Sequence, residues 1–198
     1  MISMLSFTPP APDQIRATIA LHRHCPLSYP EEGMTALNPA ELPPGLLKKF
    51  NLDRHLISLG HGSECFEKAR THLKNWEMFS LGWTQIHPPK TPVQAGEVVA
   101  VLVNVLRLWT LNLCRVIEVI DEARSFGFSY GTLPLHAEQG EERFMVRRSP
   151  ESDEVTYEIT ALSRPHSFFA KLGYFYTRYA QKRFGRESLT RMKRLQEG

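Results

Sequence analysis

The chain has 198 residues, 42% of them hydrophobic and 23% charged, which is enough to bury one sizeable core and too little for two full domains. A net charge of +3 is too small to imply nucleic-acid binding by itself. The three cysteines, Cys25, Cys65 and Cys114, are odd in number and never form a C-x-x-C pair, which argues against a disulfide framework or a cysteine zinc site. Charge is unevenly spread. From His166 to Gly198 eight Lys and Arg face two Glu, a segment charge of +6, so residues 1–165 carry −3. The opening MISMLSFTPPAP lacks a basic stretch, and its prolines end the apolar run before a signal-like segment forms. The longest apolar stretch, Val98 to Val103, is far shorter than a membrane span, and a cytoplasmic protein in a reducing compartment is expected.

Residues 1–48 are rich in proline, and only Asp13 to His22 has helical spacing, so this segment reads as an arm packed on a domain formed by 49–198. Arg54 to Leu59 reads as a short strand. The Gly60-His61-Gly62 turn leads to Ser63, a good N-cap residue, and Phe66, Ala69, Leu73 and Trp76 then recur at helical steps to about Glu77. Phe79 to Ile86 reads as extended. From Glu97 the period becomes two: Glu97–Val105, Leu108–Ile120, Ser125–Leu133, Arg143–Arg148 and Val155–Ala161 read as strands. Gly140 reads as part of the turn between the third and fourth of these. Their connections are too short for parallel crossovers, so the sheet is antiparallel. After Arg164-Pro165 the helical period returns, with Phe168, Leu172, Phe175, Tyr176 and Tyr179 on one side and a bend or break expected at Gly185.

A strand, a helix, about six more antiparallel strands and a long C-terminal helix is the order of an α+β helix-grip (START-like) fold, in which a curved antiparallel sheet of about seven strands wraps the last helix. Tyr29 with Gly33 and Thr35, LGHGSECFEKA at Leu59–Ala69, Trp76, FGFSYGTLPLHAEQGEERF at Phe126–Phe144, and Ser163-Arg164-Pro165 carry a further likeness. On these residues the chain resembles the domain-of-unknown-function family numbered 1990, over roughly Tyr29 to Leu195. The resemblance implies a layout similar to START-like and birch-pollen-allergen-like proteins, many of which hold apolar ligands. It carries no catalytic residue onto this chain.

A sheet gripping one helix need not close completely, and Trp109, Phe126, Phe128, Tyr130, Phe144, Tyr157, Phe168, Leu172 and Tyr176 are the side chains expected to wall what remains. A ten-carbon chain held there would gain roughly 8 kcal/mol at ~0.8 per methylene, leaving about micromolar affinity after association costs. The alternative is a filled core. Tyr130, His136 and Glu142 are the candidates for the polar end of a ligand. His136, Glu138, Glu141 and Glu142 are also metal-ligand types, but Glu141 and Glu142 should point to opposite faces of a strand, and no metal site or cofactor is expected. The plainer reading of that segment is a solvated turn.

Three functions follow. The leading one is a small-molecule binding protein for a hydrophobic or amphipathic ligand. An enzyme acting on a hydrophobic substrate would use His136 and Glu142 as acid and base, with Asn112 and Arg115 deep in the pocket. A peripheral membrane or interaction module would work through the basic C-terminal helix, with Lys182, Arg183 and Arg186 making weak contact with anionic lipid. Gly60-x-Gly62-Ser63 lacks the remaining residues of a dinucleotide or P-loop motif, so a tight turn is the better account. Nucleic acid is not expected as a partner, because no stacking platform is visible. Oligomeric state is not legible.

Overall fold

The computed structural model describes residues 5–37, 41–166 and 174–197. In chain order these hold β1 (Leu5–Ser6), α1 (Pro12–His22), a 3-10 turn at Met34–Ala36, α2 (Pro44–Leu47), β2 (Asn51–His61) and α3 (Gly62–Lys74). A second 3-10 turn (Glu77–Phe79) leads to β3 (Thr84–His87), β4 (Val98–Val105), β5 (Leu108–Asp121), β6 (Ser125–Thr132), β7 (Glu138–Arg148), β8 (Glu154–Pro165) and α4 (Tyr174–Glu197). The strands form one antiparallel sheet in the order β2-β8-β7-β6-β5-β4-β3, with β1 pairing only with β5. From β3 onward every strand pairs with its sequence neighbour, as short connections require, and β2 closes the far edge against β8.

The sheet is curved by irregularities that a period of two cannot show. Register shifts interrupt β2 between Ser58 and Gly60 and β5 between Val116 and Glu118. Gly140 sits inside β7, opposite Ser163, with φ of 150°, and a Cβ there would lie 2.0 Å from the Leu162 carbonyl oxygen. It is a strand kink made by close backbone approach, not the turn the sequence suggested.

Two layers use the two faces of the sheet. On the concave side Phe126 and Phe128 of β6, Phe144 and Val146 of β7, and Tyr157 and Ile159 of β8 are buried with Phe66, Ala69 and Leu73 of α3 and Met192 of α4. On the convex side Ile15 of α1 packs on Val98, Ala100, Leu102, Leu111 and Leu113, which explains why β4 is apolar along both of its faces. Tyr29, Met34, Leu42, Leu46 and Phe50 cover Leu162 beside it. At β6 the outward residue is Gly131, and a Cβ there would meet the Tyr29 hydroxyl at 2.3 Å.

Several boundaries differ from the sequence expectation. β2 extends from Asn51 to His61 because its pairing with β8 continues over its whole length. Helix α3 starts at Gly62, whose N–H donates to Asp153 O at 2.9 Å, so Ser63 lies in the first turn and is not the cap. The helix stops at Lys74 because Trp76 takes a left-handed φ of 59°, its indole N–H donating to Thr91 O at 2.8 Å. Phe79 ends a 3-10 turn, and the strand following it is confined to Thr84–His87. Helix α4 runs through Gly185 without a break. Gly185 faces His55 so closely that a Cβ would lie 2.4 Å from Nε2. Tyr179 points away from the sheet, 55% exposed, because Phe184, Ser188 and Met192 occupy the inward stripe of that helix.

Candidate functional site

The concave face does not fill. Between α4 and the upper ends of the strands lies a cavity of about 180 Å³, partly open to solvent. Its apolar walls are Val101 and Val103 of β4, Ile159 and Ala161 of β8, Trp83, and Phe79 with Phe184. Phe79 and Phe184 stack with ring centroids 4.9 Å apart, and below them Phe128 and Phe144 lie 5.2 Å apart. An engineered apolar cavity of about 150 Å³ holds benzene, so this space suits a ring with a short substituent better than a ten-carbon chain.

Polar side chains enter this space from three directions. Tyr130 of β6 and Glu142 of β7 are register partners, and the Tyr130 hydroxyl donates to Glu142 Oε2 at 2.6 Å. Burial, reinforced by Glu138 and Asp53 and opposed by the Tyr130 hydrogen bond, pushes the Glu142 carboxyl up to about 7. Burial also lifts the Tyr130 phenol well above its ordinary value. His136 sits on the loop joining β6 to β7, which is held down where the Ala137 N–H donates to Asn112 Oδ1 at 3.3 Å. The Glu138 N–H donates to His136 Nδ1 at 3.0 Å, which leaves the ring proton on Nε2. Desolvation lowers the imidazole to about 4, so it is neutral at neutral pH. From α4, Gln181 donates to Glu138 Oε2 and, at 2.8 Å, to Ser163 Oγ. Asp53 at the rim is held by both terminal nitrogens of Arg178, at 2.5 and 2.8 Å.

Glu141 points to the opposite face, as strand alternation requires. Its carboxylate accepts from the Tyr29 hydroxyl at 3.1 Å, the Gly33 N–H at 2.8 Å, the Thr35 N–H at 3.0 Å and the Thr35 hydroxyl. The segment His136–Glu142 is therefore not a solvated turn: Glu138 and Glu141 are buried, one against the cavity and one beneath the arm. Among the described residues no group of three or more His, Cys, Asp or Glu is placed to hold a metal ion.

A family model described as "Domain of unknown function (DUF1990)" matches residues 28–191. The chain belongs to the DUF1990 family. A UPF0548 protein of Dictyostelium discoideum is 37% identical over 154 residues, covering 72% of this chain and 71% of that protein. One from Deinococcus radiodurans is 32% identical over 183 residues, covering 85% and 88%. Among solved structures, a hypothetical protein from Helicobacter pylori superposes with a TM-score of 0.55 at 11% identity, covering 83% of this chain and 96% of that one; the likeness is one of fold. A DUF1990 chain thus presents a helix-grip architecture, an α+β fold whose curved antiparallel sheet wraps a C-terminal helix. The likeness carried by Tyr29, Gly33 and Thr35 has a physical basis here, since all three converge on Glu141.

Of the residues singled out from sequence, Tyr130, His136 and Glu142 line the cavity together. Phe126, Phe128, Phe144 and Tyr157 do not line it; they are fully buried beneath, where β6, β7 and β8 meet α3 and α4. Trp109 lies on the convex side, opposite Ser6 of β1 and packed on the Ile15 cluster, because Thr110 and Asn112 take the inward positions of β5. Phe168, Leu172 and the side chain of Tyr176 lie outside the described residues. Arg115 points to the arm, its guanidinium donating to the carbonyls of Arg23 and Cys25 at 2.6 and 2.7 Å. Asp53, His55, Gln181 and Phe184 were missed. The alternation Asp53-His55-Ile57-Leu59 and the helical spacing Thr177-Gln181-Phe184 are the sequence signals for them: Asp53 lies just outside the expected strand Arg54–Leu59, and Gln181 and Phe184 lie off the expected Tyr179 stripe.

Proposed function

We propose that this protein binds a small, largely apolar molecule in the cavity between the sheet and α4, with its polar end on Tyr130, His136 and Glu142, and performs no chemistry on it. One observation carries the reading: polar side chains from separate elements converge on an otherwise apolar space that the core leaves open. Native mass spectrometry of the purified protein, followed by denaturing extraction, tests it. A reproducible co-purifying small molecule is the expected result. A clean apo mass, with no thermal shift across a panel of small aromatic and amphipathic compounds, would overturn it.

A second reading has one specific observation in its favour. Glu142, its carboxyl raised to about 7 on the same cavity wall as a neutral His136, has the protonation behaviour of a general acid or base on a hydrophobic substrate. Substrate turnover lost in Glu142→Gln with binding retained would support it. Membrane contact has less behind it. Arg183 stacks 4.5 Å from the Trp83 ring and pairs with Glu187, and Arg191 pairs with Glu77. Lys182 and Arg186 are exposed, and a weak peripheral contact with anionic lipid would rest on them. No helix among the described residues is long and apolar enough to cross a membrane.

A further inference from the structure

The charge of the cavity wall narrows the ligand class, a step that rests on the binding reading above. Among the described residues that line the cavity there is no Lys or Arg. Three carboxylates, Asp53, Glu138 and Glu142, have their side chains at this face, and the three differ in how they are satisfied. Asp53 is neutralised by Arg178, and Glu138 accepts from Gln181. Glu142 Oε2 accepts from Tyr130, while its Oε1 has no partner among the described residues. Tyr130, the Nε2–H of His136, and the amide and hydroxyl groups of Asn112 and Thr110 are neutral donors at the wall. A ligand carboxylate entering here would meet Glu142, and Arg178, the cation nearest the rim among the described residues, is already engaged by Asp53, whereas an ammonium would find an acceptor already oriented by Tyr130.

We propose that the cavity selects small amphiphiles ending in a protonated amine, seated with the ammonium on Glu142 Oε1 and an aromatic or branched aliphatic body among Val101, Val103, Ile159, Phe79 and Phe184. Volume sets the scale, since about 180 Å³ accepts one ring and a short linker. Fatty acids and other anionic amphiphiles are disfavoured by charge once Glu142 is ionised. The exchange is a plain association: where Glu142 is protonated, its proton goes to solvent as the ion pair forms, and no covalent bond changes.

Three matched probes test this on the full chain: phenethylamine, phenethyl alcohol and phenylacetate, titrated by calorimetry or by NMR shifts at a pH above the Glu142 titration. The expected order is amine at least tenfold tighter than alcohol, with phenylacetate weakest. In Glu142→Gln, which keeps an acceptor for the Tyr130 hydroxyl, amine and alcohol should bind within about threefold of each other. Equal binding of amine and alcohol by the unaltered protein, or tightest binding of phenylacetate, overturns the charge selection and leaves the cavity reading intact. An amine preference that survives Glu142→Gln overturns the assignment to that carboxylate. If none of the three binds, the selection fails, and the native mass spectrum and compound panel decide the cavity reading separately. The comparison among probes on the unaltered chain decides the matter even where the variant folds poorly.

Discussion

Glu142 and His136 are half-buried at the cavity wall with opposite consequences for stability, and their pairing predicts a pH profile that single variants should unmask. The Glu142 carboxyl is raised from the usual 4.5 to about 7, so the folded state holds a proton that the unfolded chain releases. Its contribution is fully present below about pH 4.5 and is lost as pH rises to 7, a change of about 3 kcal/mol. His136 is lowered from 6.5 to about 4, so the unfolded chain takes up a proton that the folded state refuses. Its contribution is present above pH 6.5 and is lost as pH falls toward 4, again about 3 kcal/mol. The two slopes have opposite sign over nearly the same window and should largely cancel. Glu138, also raised by burial, adds to the Glu142 direction, while Glu158 and Glu187, held low by Arg54 and Arg183, favour stability above the usual carboxylate range. The Glu158 and Glu187 contributions are common to both chains and drop out of a difference curve, whereas Glu138, coupled to Glu142, changes with it. Urea denaturation of the natural chain and of Glu142→Gln across this range should show the variant gaining on the natural chain by about 3 kcal/mol as pH rises from 4.5 to 7. A difference that stays flat with pH would refute the burial argument for Glu142, and with it the account of a desolvated polar cluster in the cavity.

Removing the Glu141 side chain as Glu141→Ala strands the donors of Tyr29, Gly33 and Thr35, and should cost about 3 kcal/mol in urea denaturation together with faster proteolysis near residue 35. Gly185→Ala should destabilise by about 1–3 kcal/mol despite the better helix former, because the new Cβ meets the His55 ring; adding His55→Ala should recover most of the loss. Phe128→Ala, beneath the cavity in the aromatic stack, should cost about 3–5 kcal/mol in the same assay. If the membrane reading is right, Lys182→Glu with Arg186→Glu should abolish co-sedimentation with anionic vesicles while leaving the thermal melt unchanged; retained binding would dismiss that surface.

The order of elements was legible because it depends on local periodicity. Alternation marked β4 to β8, helical spacing marked α1 and α3, and short connections required antiparallel neighbours. The helix-grip architecture followed from that order, and the alternation of Glu141 and Glu142 across one strand was also readable in advance. Which aromatic side chains face open space was not, because Phe128, Phe144 and Tyr157 have the same strand parity as Tyr130, and their depth depends on where α3 and the Glu77–Phe79 turn press against the sheet. Trp109 was lost to the convex side because a register shift at Val116–Glu118 breaks the alternation of β5, so inward positions near its end do not predict those near its start. Gly140 looked like a turn because a glycine forced by close approach of a neighbouring strand carries the same letter as one forced by chain reversal. The cavity is a property of the assembled layers. It joins β2, β7 and α4, the first and last more than a hundred residues apart in sequence, and only their packing decides that Glu142 faces the cavity while Glu141 is sheltered by the arm.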